Sequence, residues 1–103
     1  MEYHPLTQRF IDIMEELKAL HLKKQSDYGK EDDPFSNLRG ASDYNVSPWI
    51  GAMIRANDKI RRLQTYAVRG TLYNETVVDA FNDLAVYTII ARVLWEQEYN
   101  NLQ

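Results

Sequence analysis

Two backbone signals bracket one long helix in the middle of the chain, and they constrain its fold more than any other feature. Ser47-Pro48 predicts a helix start, because serine commonly caps a helix and proline fits its first position. Gly70 predicts the end, since glycine adopts the left-handed conformation that often follows a last turn. A second helical pattern opens near Asn74-Glu75, so we expect two antiparallel neighbours joined by a short connection.

The remaining sequence predicts an all-α protein. Pro5 and Thr7 can open a first helix, with Thr7 as its cap, and no convincing strand is present. The segment before Ser47 is rich in Ser, Asp, Asn and Gly, and we expect one helical turn within it. We therefore predict one domain over residues 1–103, a bundle of three main helices with a long, partly helical loop. The predicted elements are helices over about residues 7–25, 48–69 and 74–99 and a loop over 26–47.

Helical periodicity also predicts which apolar side chains are buried. They are Phe10, Ile13, Met14, Leu17 and Leu20 in the first helix, Trp49, Met53, Ile54, Ile60, Leu63 and Ala67 in the second, Val78, Phe81, Leu84, Ala85, Thr88, Ile89, Val93 and Leu94 in the third, and Phe35, Leu38 and Tyr44 as anchors of the loop. Val77, Val86 and Ile90 lie off the main face of the third helix, which is thus apolar on two sides. A chain of 103 residues has a small core, so we expect a homodimer or a higher homo-oligomer.

Composition excludes several classes of function. The chain has no cysteine, so disulfides, thiolate metal sites and thiol nucleophiles are excluded. We see neither a signal peptide nor an apolar run long enough to span a membrane, and we expect a cytoplasmic protein without membrane partners. A net charge of −3 argues against binding to a nucleic-acid polymer.

The charge is divided unevenly along the chain. Residues 48–70 carry five basic side chains and only Asp58 as an acid, a net charge of +4, whereas residues 71–103 have a net charge of −4. Glu75, Asp79 and Asp83 follow each other at intervals of four, which places them on one face of the third predicted helix. In the antiparallel pair, Asp58 is expected near Asp83, and Arg62 near Asp79 or Phe81.

These charges allow two interpretations. In the first, Arg55, Lys59 and Arg62 form ordinary interhelical ion pairs with the acids of the third helix. In the second, Mg²⁺, a hard cation that takes oxygen ligands, is held by Asp58, Asp79 and Asp83, with Glu75 as a further candidate. The basic residues beside these acids then bind phosphate oxygens. Asp58 favours the second interpretation, because an acid expected opposite Asp83 repels it unless a cation lies between them.

The sequence resembles a bacterial and phage family, the nucleotide-modification-associated domains. The resemblance is carried by RANDKIRRL at residues 55–63, ETVVDAFNDLAVY at 75–87, KKQSDYG at 23–29 and DPFSN at 33–37, and it covers roughly residues 20–90. That family is similar to the MazG-like all-α nucleoside triphosphate pyrophosphohydrolases. The resemblance implies hydrolysis of a (d)NTP to a monophosphate and pyrophosphate, acids from two antiparallel helices around Mg²⁺, and an oligomer whose paired subunits complete a four-helix bundle.

The resemblance also implies roles for particular residues. The implied metal ligands are Asp58, Asp79 and Asp83, the catalytic acids are Glu75, Asp79 and Asp83, and the nucleotide-binding residues are Lys24, Asp27, Tyr28, Asn37, Arg55, Lys59 and Arg62, with Phe35 and Trp49 as further candidates for base stacking. The chain departs from the superfamily's E-x-x-E pair, since Arg55 stands three residues before Asp58 and Ala80 three before Asp83. Loop acids are candidates for the missing ligand, namely Glu31, Asp32 and Asp33.

Three functions remain open on this evidence. The first is a Mg²⁺-dependent NTP pyrophosphohydrolase in nucleotide-pool control, encoded by a bacterium or a phage. The second is a non-catalytic protein that sequesters a nucleotide in the same pocket. The third is a helical interaction module whose charges form only ion pairs.

Overall fold

A computed structural model describes residues 2–28 and 35–100, and of residues 25–28, 36 and 37 it describes the backbone alone. Every regular element in these ranges is helical, which confirms the all-α prediction. No helix among the described residues is long and apolar enough to cross a membrane. The elements are α1 (Pro5–Tyr28), a 3₁₀ helix (Ser36–Tyr44), α2 (Pro48–Arg69) and α3 (Val77–Asn100).

Local signals set both ends of α2 where the sequence predicts them. Pro48 occupies the first turn, and Gly70 follows the last turn at φ +78°, where its N–H donates to the carbonyl of Tyr66 at 2.7 Å. Ser47 differs from the prediction, because its side chain makes no capping hydrogen bond. Its hydroxyl instead donates to Glu98 near the end of α3, at 2.8 Å.

The starts of α1 and α3 differ from the predicted positions because other residues cap them. His4 Nδ1 accepts a hydrogen bond from the N–H of Leu6 at 3.1 Å, and α1 begins at Pro5. Thr76 Oγ1 accepts one from the N–H of Asp79, also at 3.1 Å, and α3 begins at Val77. Glu75 therefore precedes the helix, and the predicted face of three regularly spaced acids is wrong.

The chain divides after Phe35 into two compact units. In the first unit, the ring of His21 stacks on that of Phe35 with centroids 6.3 Å apart. In the second unit, α2 packs along α3 and the 3₁₀ helix packs on α2. Ser47, just before α2, donates a hydrogen bond to Glu98 near the end of α3, and Lys59 in the middle of α2 forms an ion pair with Asp83. The two helices are therefore antiparallel, as predicted.

Small side chains occupy most of the buried positions in the second unit. The described buried residues are Ala52 and Ala56 in α2, Ala80, Ile90, Ala91 and Leu94 in α3, and Leu38 in the 3₁₀ helix. Alanines lack a long side chain to hold two helix backbones apart, so they allow a close crossing of α2 and α3. At Gly51 an added Cβ would lie 3.0 Å from the Cβ of Ala41, so the 3₁₀ helix also approaches α2 closely.

The predicted apolar faces of α2 and α3 are partly wrong. Leu94 is buried as predicted, but Val78, Phe81 and Ile89 are exposed, whereas Ile90, predicted to lie off the main face, is buried. Because α3 is apolar on two sides, its periodicity does not determine which side faces α2, and the alanines favour the side that permits close packing. The other predicted core residues that are exposed are Met53, Ile54, Ile60 and Ala67 in α2, Thr88 in α3, Tyr44, and Phe10, Ile13 and Met14 in α1.

Candidate functional site

Five charged side chains in the second unit form one connected set of ion pairs, which we call the charged cluster: Asp58, Lys59, Arg62, Glu75 and Asp83. The Nζ atom of Lys59 lies 3.1 Å from Glu75 Oε2 and 3.1 Å from Asp83 Oδ2. The Nε atom of Arg62 lies 3.2 Å from Asp58 Oδ2 and 3.0 Å from Glu75 Oε1. The cluster thus joins α2 to α3 and to Glu75, two residues before the start of α3.

The inner part of the charged cluster is shielded from solvent. The side chains of Glu75, Lys59 and Asp83 are only 13%, 16% and 24% exposed. Ion pairs at such positions lose more hydration than surface pairs and interact more strongly, so the surface value of about 0–1 kcal/mol does not apply to them. Each base of the cluster is shared between two acids, Lys59 between Glu75 and Asp83 and Arg62 between Asp58 and Glu75.

Lys59 remains charged in this environment. Burial lowers the pKa of Lys59, but hydrogen bonds to Glu75 and Asp83 and the charges of these carboxylates outweigh that effect. The pKa is consequently raised above its ordinary value of 10.5, and the ammonium group is the cation that the two acids share at neutral pH.

One oxygen of Glu75 has an unusual environment. Oε1 is buried and accepts no hydrogen bond from the described residues, although Arg62 Nε is close to it. The N–H of Arg62 Nε donates instead to Asp58. A buried carboxylate oxygen without a donor is costly, and such atoms in native structures often have a catalytic role or a bound ion or water as partner.

The backbone before Glu75 adopts a conformation that few residues tolerate. Asn74 has φ +71°, in the left-handed region, and is one of the two described non-glycine residues with positive φ. Asparagine is among the side chains that adopt this conformation most readily. This turn brings the chain from Gly70 to Glu75 and sets the direction in which the chain enters α3.

Three sequence-predicted residues lie at the margin of the charged cluster or outside it. Asp58 belongs to the cluster, but its side chain is 57% exposed and pairs with Arg62 along the same helix. Asp79 is exposed in the first turn of α3, where an acid stabilises the helix dipole. Arg55 is exposed on α2 and has no ion pair within the described part of the chain.

The remaining predicted nucleotide-binding residues are not placed in the charged cluster. Lys24 is exposed on α1, in the first unit. The side chains of Asp27, Tyr28 and Asn37 lie outside the described residues, and so do the loop acids Glu31, Asp32 and Asp33. Trp49 is half-buried at the start of α2, and its indole Nε1 is shielded without a hydrogen-bond partner among the described residues.

The register of α2 against α3 brings Lys59 within 3.1 Å of Asp83. The sequence predicts this antiparallel register correctly, but neighbouring helix positions point about 100° apart, so the register alone does not choose between Asp58 and Lys59. In the ranges 2–28 and 35–100, no three His, Asp or Glu side chains are grouped to hold a metal ion. The sequence analysis did not predict the left-handed turn at Asn74. An asparagine shortly after a helix-ending glycine is the feature of the sequence that could have indicated it.

Comparisons of the chain with family models, with curated proteins and with solved structures found no match. The MazG-like resemblance therefore stays a prediction that depends on the motifs quoted above.

The turn at Asn74 gives a direct test of how Glu75 is positioned. Asn74→Val should lower the free energy of unfolding by about 1–2 kcal/mol, because a β-branched side chain is strained at positive φ. Asn74→Gly is the matched control, since glycine adopts this conformation freely, and it should change the stability by less than about 0.5 kcal/mol. Urea denaturation measures both variants. Equal effects of Val and Gly would show that the left-handed turn does not exist in solution.

Proposed function

We propose that this chain is a Mg²⁺-dependent nucleoside triphosphate pyrophosphohydrolase that converts a (d)NTP of the cytoplasmic nucleotide pool into a (d)NMP and pyrophosphate. One observation supports the proposal most strongly. Glu75 Oε2 and Asp83 Oδ2, from two points of the chain, converge on a single cation position, at 3.1 Å each from the ammonium nitrogen of Lys59. The resemblance places acids of the same kind around Mg²⁺.

The donor set suits Mg²⁺ better than a cation that needs many protein ligands. Mg²⁺ is usually held by one or two carboxylates together with waters and substrate phosphates, so two converging acids are enough. Glu75 and Asp83 are therefore the proposed inner ligands, and Asp58 and Asp79 supply additional negative charge. When bound, Mg²⁺ supplies charge neutralisation at the phosphate oxygens.

The remaining chemistry is assigned to side chains of the chain itself. In the hydrolysis a water oxygen bonds to phosphorus, and the phosphoanhydride bond to the pyrophosphate group breaks. Glu75 Oε1 accepts the proton of that water, because it is a buried carboxylate oxygen that accepts no hydrogen bond from the described residues. Arg62 and the exposed Arg55 bind phosphate oxygens through their guanidinium groups. The sequence assigns Lys24, Asp27, Tyr28 and Asn37 to the nucleotide, and this stays a prediction.

The activity is tested by measuring pyrophosphate release from a panel of NTPs and dNTPs with and without Mg²⁺. At least one nucleotide should be hydrolysed only with Mg²⁺, and Asp83→Asn should reduce kcat by about 100-fold or more, as removal of a charge-stabilising group commonly does. Asp43→Asn, an equal charge change at an exposed position of the 3₁₀ helix, should leave kcat within about twofold of the wild-type value. Circular dichroism checks that both variants fold.

A second function, nucleotide sequestration without catalysis, also has support in the arrangement of the acids. Because no three such side chains are grouped among the described residues, a nucleotide-sequestering protein without catalysis also fits. Nucleotide binding by calorimetry without pyrophosphate release would favour that function over hydrolysis. If neither nucleotide nor Mg²⁺ changes the melting temperature, the interaction module, whose charges form only ion pairs, would be favoured instead.

We further propose that the chain acts as a homodimer or a higher homo-oligomer that pairs through the outer face of α3. Val78, Phe81 and Ile89 repeat at helical spacing on this face and are 65%, 58% and 60% exposed. Exposed apolar side chains that share one helix face are typical of protein interfaces. A second copy of the chain would cover them and would enlarge the small core of the unit.

Sedimentation velocity at micromolar concentration tests this pairing. The wild-type protein should sediment as a dimer or a larger species, and Phe81→Ser should shift it toward the monomer. Tyr73→Ser removes a comparably exposed aromatic ring from the α2–α3 connection, outside the proposed interface, and should leave the sedimentation coefficient unchanged. A wild-type protein that sediments as a monomer would contradict the dimer.

A further inference from the structure

Asp58 and Glu75 compete for one hydrogen of Arg62. The Nε atom of Arg62 carries a single hydrogen, and the planar guanidinium fixes the direction of that N–H. Nε lies 3.2 Å from Asp58 Oδ2 and 3.0 Å from Glu75 Oε1. Although the oxygen of Glu75 is the nearer of the two, the N–H donates to Asp58. Glu75 Oε1 thus has the positive charge of Arg62 beside it but receives no hydrogen bond from it.

The two acids differ in how much they gain from this hydrogen. The side chain of Asp58 is 57% exposed, so water can hydrate its carboxylate, whereas that of Glu75 is 13% exposed and its Oε1 is buried. A buried oxygen has lost its hydration and therefore gains more from a donor than an exposed oxygen does. Without Asp58, the N–H of Arg62 would turn to Glu75 Oε1.

We infer that Asp58 is a positioning residue that keeps the Nε–H of Arg62 away from Glu75 Oε1. This inference rests on the proposed function, in which Oε1 accepts the proton of the attacking water. A hydrogen bond from the guanidinium would take up that oxygen and hold the attacking water away from it. Asp58 acts through Arg62 and does not itself touch the substrate.

The neighbouring contacts suit this division of roles. Asp58 stands four residues before Arg62, and an acid and a base at this spacing face each other along a helix. Lys59 donates to the other oxygen of Glu75, Oε2, at 3.1 Å. The carboxylate of Glu75 is therefore held at Oε2 by Lys59, while Asp58 takes the hydrogen that Arg62 could give to Oε1.

Steady-state hydrolysis of the best nucleotide substrate tests the inference with two variants of Asp58. Asp58→Ala should lower kcat by about fivefold or more, because Arg62 then donates to Glu75 Oε1, and it should change KM by less than about threefold, because both phosphate-binding arginines remain. Asp58→Glu keeps a carboxylate within reach of Arg62 and should retain kcat within about twofold of the wild-type value. An unchanged kcat in Asp58→Ala, or equal losses in the two variants, overturns the inference.

A control variant and the dependence on Mg²⁺ separate this role from a general effect of charge. Asp43→Ala removes an exposed acid from the 3₁₀ helix and should leave kcat and KM within about twofold of the wild-type values. The kcat of Asp58→Ala should stay low at saturating Mg²⁺. If a higher Mg²⁺ concentration restores it, Asp58 acts by attracting the metal ion and the inference is wrong.

A measurement on Arg62 itself needs no catalysis. Nitrogen-15 NMR compares the rate at which the Nε–H of Arg62 exchanges with solvent in the wild type and in Asp58→Ala at the same pH. The rate should fall by about threefold or more in the variant, because the hydrogen moves from an exposed acceptor to a buried one. Faster exchange would show that the N–H turns to water, and it would overturn the inference. If the wild type hydrolyses no nucleotide, the proposed function fails, and the exchange rate still decides whether Asp58 keeps Arg62 away from Glu75.

Discussion

The shared ion pair of Lys59 with Glu75 and Asp83 is the interaction on which the account of this protein depends. It joins the middle of α2 to α3 and to the turn that precedes α3, at a place largely shielded from solvent. Removing one member of such a set leaves the others with unpaired charge. Partly buried ion pairs can therefore favour one helix register even where their net contribution to stability is modest. The same arrangement brings two carboxylates together at one point.

The helices of the second unit could be predicted well where the signals are local. Pro48 and Gly70 act through their own backbone geometry, so the bounds of α2 agree with the prediction. The start of α3 could not be predicted as accurately, because Thr76 competes with Asn74 and Glu75 as the helix cap and the choice depends on one hydrogen bond to Asp79. That small difference moves Glu75 from the helix into the turn.

The candidate site could be predicted only in outline. Division of the net charge into a basic and an acidic segment correctly indicated contacts between α2 and α3, and the antiparallel register brought Lys59 within reach of Asp83. Sequence spacing could not show that Lys59 rather than Asp58 faces the acids, since a rotation of one residue about the helix axis decides this. Nor could it choose between the two apolar sides of α3, where Ala80 and Ala91 are buried and Phe81 is exposed.

A double-mutant cycle between Lys59 and Asp83 tests the central claim most directly. The free energy of unfolding is measured in the wild type, Lys59→Met, Asp83→Asn and the double variant, in metal-free buffer. If the two side chains share the buried ion pair, the single changes will not add, and the coupling energy will be about 1–3 kcal/mol. Additivity within about 0.5 kcal/mol would show that Lys59 and Asp83 do not interact in solution, and it would contradict the account.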